Sequence, residues 1–394
     1  MKRLLLLGAS ISQIPFIKKA QSLGCFVGVV DYNPKASAIE FADSYYECSL
    51  TDVEGVDRIA AEFRPDGITC GASDVGVMTA AILCEKYGLP GLDRETAVRV
   101  KDKGVMIEAF RKSGVAHPKY QVIESPDAPV ALPFPVITKP VDKSGSRGIN
   151  VARNAGELRE ALADSFACSD CKQVIVEEYM DGPEVSVELL VQNGTPYVIQ
   201  VTDKLTTGEP KFIEIGHSQP SQLPPDRVAA IRQLAHDAAK AVGMQNGCCH
   251  AEIKLTSGGP KMVEIAGRLG ADFITTVLLP ISTGVNLSEY EILRAIGTPK
   301  PYEPVTVPGR GVAVRFIESV PGTIESVEVR YDAESMVGVE ELKLVCKANR
   351  TYGDAQNNND RFGYVIASGK TAAIAVSRCE RVIKNIGITM AEKK

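Results

Sequence analysis

The chain has 394 residues, room for two or three domains, and its 44% hydrophobic and 24% charged content is that of an ordinary soluble globular protein. With 44 Lys and Arg against 49 Asp and Glu, the net charge of −5 leaves no basic surplus to neutralise a nucleic-acid backbone. No apolar run reaches the roughly 20 residues of a membrane-spanning helix, so neither nucleic acid nor membrane is an expected partner.

The opening MKRLLLLGAS stops its apolar run at Gly8, too early for a secretory signal, and reads as a buried strand. ISQIPFIKKAQSLGC has helical periodicity, and FVGVVDYN is a second strand ending at Asp31. FADSYYECSL, the helix VEGVDRIAAEF, the strand in RPDGITCGASD and the helix VGVMTAAILCEKYG continue the alternation. Strands alternating with helices imply a parallel, doubly wound sheet with its polar loops at the strand ends. Asp31 sits where a ribose-binding acid stands in a dinucleotide fold, but the GASISQ turn has one glycine where that fold needs three. A Rossmann-like half supporting a neighbouring domain is the reading kept for residues 1–93.

Asp93 or Thr96 is placed to cap the next helix, which runs to Arg99. Another helix ends at Gly114. From about 119 to 180 the pattern is a small α+β section: YQVIE, FPVITKP, a glycine loop, GINVARN, the helix GELREALADSF and QVIVEEYM. EVSVELLVQNG, PYVIQVTDKL and KFIEIGHSQ then read as antiparallel strands. The helix DRVAAIRQLAHDAAKAVGM leads to the hairpin CHAEIKLTSGGPKMVEIAGR, which turns at SGGP. Residues 94–299 are taken as one domain and residues 300–394 as a C-terminal α+β module. That module comprises the short strands GRGVAVRFIES, GTIESVEV, ELKLVCKAN and FGYVIASG and a final helix, KTAAIAVSRCERVIKNI.

Ten cysteines are scattered. Cys168 and Cys171 form a single CxxC, and Cys248 and Cys249 precede His250. A zinc site wants two such pairs at suitable spacing, so free thiols in a reducing cytoplasm are the expectation.

Taken singly, the remaining polar features are ordinary. Lys139 at a strand end is the kind of lysine that is usually solvated, Gly145 to Gly148 the kind of loop that is usually a turn, and two glutamates on a hairpin are usually an exposed face. In order and in context they resemble the ATP-grasp superfamily, along nearly the whole chain. VKDKGVMIEAFRKSGVAHP resembles the segment whose lysine, Lys103 here, reaches the nucleotide phosphates. FPVITKP resembles the second nucleotide lysine, Lys139. KSGSRGI, with Ser144, Gly145, Ser146 and Gly148, resembles the loop that folds over the phosphates.

VIVEEYMDGPEVSVELL resembles the adenine hinge: Glu177 for the adenine amino group, the backbone of Glu178 and Met180 for the ring edge, and Glu184 for the ribose hydroxyls. AEIKL and MVEIAGR resemble the two metal-binding strands, at Glu252 and Glu264, with Arg268 near the acyl phosphate. Ala266 departs from the family pattern, which often has an asparagine there as a further ligand.

The chemistry is consistent with this. A nucleotide carrying about four negative charges calls for lysines and for a divalent ion on carboxylates. Glycines let backbone N–H groups approach phosphate oxygens.

The resemblance implies an ATP-grasp fold with an N-terminal Rossmann-like domain. It implies ATP and Mg2+, with Mn2+ as an alternative ion, and small-molecule carboxylate and amine substrates in a cytoplasmic homodimer. The expected reaction is ADP-forming ligation through an acyl phosphate. TDKLTTGEPKFIEIGHSQPSQLP resembles amino acid and dipeptide ligases, which places Lys204, Glu214 and His217 with Arg268 and Gly270 near the substrates. Enzymes like formate-dependent ribonucleotide formyltransferases or biotin carboxylase, and a non-catalytic nucleotide-binding module, are the alternatives.

Overall fold

The computed structural model describes residues 1–305, 309–329 and 336–391. The N-terminal part alternates as its sequence suggests: β1 (Lys2–Leu7), α1 (Ile14–Ser22), β2 (Cys25–Asp31), β3 (Ser44–Glu47), α2 (Val53–Phe63), β4 (Gly67–Thr69) and α3 (Val77–Tyr87). The four strands form a parallel sheet in the order β3-β2-β1-β4. Leu4, Leu5, Leu6 and Leu7 are all fully buried. Both faces of the sheet are therefore covered, as a parallel sheet requires. At the strand ends the Asp31 carboxylate accepts hydrogen bonds from the backbone of Ala9 (2.8 Å) and Asn33 (2.9 Å). It ties β2 to the turn after β1 and is occupied by the chain itself.

Two helices follow, α4 (Arg94–Arg99) and α5 (Lys103–Ser113). Asp93 caps the first through Thr96 N–H at 2.8 Å, and Asp102 caps the second through Val105 N–H at 2.9 Å. The cap at Asp102 puts Lys103 at the first helical position, where its side chain can leave the helix sideways.

A four-stranded antiparallel sheet, in the order β5-β8-β6-β7, is built from β5 (Tyr120–Ile123), β6 (Val136–Pro140), β7 (Asn150–Ala152) and β8 (Val174–Glu178). Helix α6 (Ala155–Cys168) covers it through a small core of its own that includes Val136, Leu162, Phe166 and Val176.

The largest sheet has eight strands, all antiparallel to their neighbours. It is assembled from β9 (Glu184–Gln192), β10 (Thr195–Thr206), β11 (Glu214–Gln219), β12 (Gly247–Thr256) and β13 (Gly259–Ala266), with α7 (Pro225–Ala241), α8 (Leu279–Thr283) and α9 (Leu287–Ala295) between or after them. The C-terminal part supplies β14 (Gly311–Ile317), β15 (Gly322–Val329), β16 (Val339–Leu344), β17 (Thr351–Tyr352), β18 (Gly363–Gly369), α10 (Ala372–Ile383) and β19 (Ile386–Met390). The sheet order β13-β12-β9-β10-β11-β14-β18-β16 runs without a break from residues before position 300 to residues after it. β15, β17 and β19 form a separate three-stranded sheet.

Strand β9 shows how the large sheet divides its two faces. Its sequence EVSVELLVQ puts Val185, Val187, Leu189 and Val191 in the core, against Ile231, Ala235 and Ala238 of α7. Glu184, Ser186 and Glu188 point to the other face, because successive side chains of a strand alternate. On β12, Ala251 and Ile253 join the core, while His250, Glu252 and Lys254 share the polar face.

Three differences from the sequence expectations have local causes. The chain does not close on its last helix: α10 ends at Ile383 and β19 pairs with β15, about 60 residues earlier in the chain. Five residues alternating at that distance carry no local signal. Strand β11 begins at Glu214 rather than Lys211, because Phe212 adopts φ +50° and breaks the extended run. The residues after Arg268, given no element from the sequence, turn into Ile274–Leu278, α8 and α9. Among the described residues no helix is long and apolar enough to cross a membrane.

Gly311 marks the closest approach of β14 to the start of α10. A methyl carbon there would lie 1.9 Å from the carbonyl carbon of Thr371. Gly311→Ala is expected to lower the thermal unfolding midpoint by several degrees, since overpacking of this kind costs about 1–3 kcal/mol. An unchanged midpoint in scanning fluorimetry would contradict the tight contact.

Candidate active site

A cleft of about 1050 Å3, its open mouth included, separates the four-stranded sheet from the polar face of the eight-stranded sheet. Lys103, Lys139, Ser144 to Ser146, Glu177 to Met180, Glu184, Lys204, Glu214, Glu252 and Glu264 all line it. Residues as far apart in sequence as Lys103 and Glu264 are thus brought to one surface.

On the smaller sheet, Lys139 of β6 is buried at 5% exposure. Its ammonium donates to the carboxylate of Glu177 on β8, itself 2% exposed, at 2.7 Å. Lys103 is 3.2 Å from Glu264 and donates to the carbonyl of Lys143 at 2.7 Å, which attaches α5 to the glycine loop. In that loop Gly145, Ser146 and Gly148 all have positive φ, from +59° to +69°. Gly145 meets nothing within 4 Å, so its need is conformational, whereas a side chain on Gly148 would strike Cys168. The backbone of Glu178, which ends β8, and of Tyr179 is held by Lys119 and Pro135, and the Glu178 carboxylate pairs with Lys261. Met180 follows in the cleft wall.

On the larger sheet the register puts acids and lysines opposite one another. Glu252 faces Glu264 across β12 and β13, Lys204 faces Glu184 across β10 and β9, and Lys204 faces His217 across β10 and β11. The Lys204 ammonium, with 6% of its side chain exposed, lies 2.8 Å from Glu184, 2.8 Å from Glu214 and 3.0 Å from Glu252. Burial alone would push its pKa down. The three carboxylates outweigh burial and hold it well above the ordinary lysine value. In return, burial raises Glu214, but Lys204 and His217 pull it down to about 2. Glu252 is likewise held well below the usual range against burial, by Lys204 and His250.

Three further residues complete this face. His250 donates from Nδ1 to fully buried Glu188 at 2.6 Å, and its Nε2 lies 3.5 Å from Glu252. Although burial opposes the charged imidazole, Glu188 raises it to about 9. Glu188 also accepts from Thr275 Oγ1 at 2.8 Å and from Gly270 N–H at 3.3 Å. The Gly270 amide, expected from the sequence to meet a substrate carboxylate, is thus bound to the chain's own Glu188. Arg268 reaches back to Asp74 of the N-terminal part at 3.4 Å, where Lys101 also binds at 2.8 Å. Burial works against the Asp74 carboxylate, yet Arg268 and Lys101 hold it far below the usual range. Ala266 is buried opposite His250 and offers no ligand atom.

The tightest cluster of ligand-type atoms among the described residues, Glu214, His217 and Asp272, lies within 4.8 Å. Its carboxylates already bind Lys204 and Arg361, whose cationic groups fill the place of an ion. All ten cysteines are unbridged.

A profile of the ATP-grasp domain matches residues 132–277, which contain the glycine loop, the hinge and both strands of the Glu252–Glu264 hairpin; a second, of the L-amino acid ligase C-terminal domain 2, matches residues 315–391. The chain carries an ATP-grasp domain. The chain is 26% identical to carnosine synthase 1 of Gallus gallus over 331 residues, covering 76% of the chain and 35% of that protein. It therefore spans about a third of that relative's length. It is 26% identical to a formate-dependent phosphoribosylglycinamide formyltransferase of Synechococcus sp. (strain RCC307), over 98% of the chain and 97% of that protein. Among solved structures, the L-amino acid ligase from Bacillus licheniformis superposes with a TM-score of 0.84 at 20% identity, covering 100% of this chain and 99% of that one, a likeness of fold.

Sequence reasoning missed Asn358 in the cleft wall, and Asp74, Lys101, Glu188, Asp272 and Arg361 as partners of the expected site residues or of one another. Asp74 lies 194 residues from Arg268, and Asp272 lies 89 from Arg361. No local spacing announces such pairs. Glu188 had a usable signal: with Glu184 and Ser186 it continues the polar alternation of β9.

Replacing Lys204 by Met would leave three carboxylates facing one another. Removing one partner of a buried charge cluster costs about 3–5 kcal/mol. The loss depends on pH. With Lys204 present, Glu214 has a depressed folded pKa, so its stabilisation is present above the ordinary glutamate value and lost on acidification toward about 2. Without Lys204, Glu214 and Glu252 repel each other and their pKa values rise above the ordinary value. The variant's deficit is then greatest at pH 8 and shrinks toward pH 5.5 as protons bind. Unfolding midpoints of Lys204→Met and wild type at the two pH values test this; a deficit independent of pH would contradict the charge cluster.

Proposed function

We propose that the chain is an ATP-dependent ligase that activates a carboxylate as an acyl phosphate and joins it to an amine, with amino acids or dipeptide-type compounds as substrates. The observation that carries this reading is the composition of the cleft: Lys139 stands on one wall, Glu252 and Glu264, directly opposed in register, on the other, and Lys103 pairs with Glu264 at 3.2 Å. The match to an L-amino acid ligase C-terminal domain supports the choice of substrate class.

In this reading Glu177 and the hinge at Glu178 and Met180 receive adenine, Glu184 the ribose, and Lys103, Lys139 and the loop at Ser144 to Gly148 the phosphates. Paired carboxylates on one face suit a divalent ion, since magnesium takes one or two protein carboxylates and completes its shell with phosphate and water. Glu252 and Glu264 would hold it, with manganese as the alternative, and when bound it neutralises phosphate charge. The lysines orient the γ-phosphate for attack by a substrate carboxylate oxygen. A new O–P bond forms as the bond to ADP breaks. The amine nitrogen then attacks the acyl carbon, the C–N bond forms, and phosphate leaves with the acyl C–O bond electrons. Arg268, held by Asp74, would stabilise the oxyanion of that second step. The glycine loop covers the cleft and keeps water from the acyl phosphate.

The full-length similarity to a formate-dependent formyltransferase favours a second reading, with formate as the acid and a ribonucleotide amine as the acceptor.

A phosphate-release screen of amino acids singly and in pairs, with formate and bicarbonate as separate arms, distinguishes the readings. Stimulation by an amino acid pair is expected; release with formate and a ribonucleotide amine alone would favour the second reading. Under the first, Lys139→Ala and Glu264→Ala each lower ADP formation about a hundredfold, equal to about 2.7 kcal/mol of transition-state stabilisation. Near-normal rates in both variants would remove the site assignment. His217→Ala is expected to change acid or amine preference more than the KM for ATP, and an unaltered substrate profile would count against its role.

A further inference from the structure

The loop between β17 and β18, in which the sequence marked no functional group, brings Asn358 to the cleft wall. Arg361 forms a two-pronged ion pair with Asp272, Nη1 to Oδ2 at 2.7 Å and Nη2 to Oδ1 at 2.9 Å. Nη1 also donates to the backbone carbonyl of Glu214 at 3.1 Å. Asn358, three residues earlier, accepts the Glu214 N–H through Oδ1 at 3.0 Å. Both backbone groups of Glu214 are therefore held by this one loop. Lys211, just before β11, donates to the carbonyl of Ala355 in the same loop at 2.6 Å. The Arg361 guanidinium lies 3.5 Å from the centroid of the Phe316 ring.

These contacts converge on His217. Its side chain is fully buried, with Nε2 3.2 Å from Glu214 Oε2 and 3.9 Å from Asp272 Oδ2. Neither ring nitrogen makes an aligned hydrogen bond among the described residues. The Phe316 ring meets the imidazole edge-on at 6.2 Å. A buried polar ring without a hydrogen-bond partner is destabilising. It keeps its orientation only if the surrounding groups are themselves fixed. Glu214 is fixed by Lys204 at its carboxylate and by Arg361 and Asn358 at its backbone. Asp272 sits in the left-handed region at φ +51°, a strained position for a residue with a side chain, and is fixed by Arg361.

We propose that Arg361 is a positioning residue: acting through Asp272 and the Glu214 backbone, it holds the carboxylates that set the position of the fully buried His217 imidazole beside Glu214, which lines the cleft. The role of His217 toward substrate rests on the ligase reading above, whereas its positioning by Arg361 does not. The planar fork is what the site requires, because an ammonium at this place could bind Asp272 or the Glu214 carbonyl but could not keep both at this geometry while lying on Phe316.

The groups facing His217 are Glu214 on its own strand, Asp272 after β13, Lys204 opposite it on β10, and Arg315 of β14, which lies 3.4 Å from the His217 carbonyl oxygen, with Arg361 behind Asp272. The chain has only four histidines, so the imidazole of His217 can be followed by NMR in the whole protein labelled at histidine.

Arg361→Gln removes a cation behind Asp272 and is expected to move the His217 midpoint up. Asp272→Asn removes the anion and is expected to move it down. In turnover, Arg361→Gln is expected to lower kcat/KM for the acid or amine roughly tenfold to a hundredfold, as misplacement of a group near the reacting atoms does. The KM for ATP stays within about twofold. Arg361→Lys, the milder change, recovers only part of the loss.

A His217 midpoint that stays put in both Arg361→Gln and Asp272→Asn, with ATP-analogue binding retained, overturns the proposal. So does an Arg361→Lys enzyme equal to wild type. Should Arg361→Gln fail to bind the analogue, the His217 midpoint and position in Arg361→Lys decide, an unmoved imidazole overturning the proposal. If wild type shows no ligase turnover, the ligase reading fails while the NMR arm still judges Arg361.

Discussion

The ammonium of Lys204, within 3.0 Å of carboxylates from three other strands, is the contact on which the polar half of the molecule depends. Three acids converging from β9, β11 and β12 in a half-buried place would drive those strands apart or take up protons. One lysine on β10, in register with Glu184 on one side and His217 on the other, offsets their mutual repulsion. The arrangement holds only if the pairing register of four strands is right. A slip of one residue on β10 would send Lys204 to the hydrophobic face. The cluster is therefore a check on register as well as a feature of the cleft.

The other face of the same strands meets the opposite demand. Val185, Val187, Ala251 and Ile253 pack against α7, and this core gives the sheet the rigidity that a charged surface could not supply. The same economy appears on the smaller sheet. Lys139 and Glu177 are nearly buried and bind each other, while Val136, Val174 and Val176 turn toward α6. Both walls of the cleft thus hold cations and anions already matched within the chain. A charged ligand entering it exchanges partners with these groups and does not have to bring compensation to an empty pocket.

The fold class was legible in the sequence because its signals are local. Four buried leucines ending at Gly8, the alternation in EVSVELLVQ and the SGGP turn each identify an element within a dozen residues. The order of the motifs then pointed to the ATP-grasp domain. What could not be read was the wiring between distant segments. The Asp74–Arg268 and Asp272–Arg361 pairs, and the approach of Asn358 to Glu214, join residues whose own neighbourhoods look unremarkable, and they exist only once the sheets are packed. The position of Gly270 shows the limit from the other side. Its place in the motif suggested an amide turned toward a ligand, and the tertiary arrangement gave that amide to Glu188.

The unbroken order β10-β11-β14-β18 has a bearing on how the chain can be divided. A fragment ending before β14 would retain the whole Glu252–Glu264 hairpin and the lysine cluster. It would also leave β11 as an edge strand, with the groups of Gly216 to Gln219 that now bond Val312 to Arg315 open to any passing strand. Exposed strand edges recruit other chains. Shortening this protein to the residues before β14 therefore invites self-association rather than yielding a smaller soluble unit.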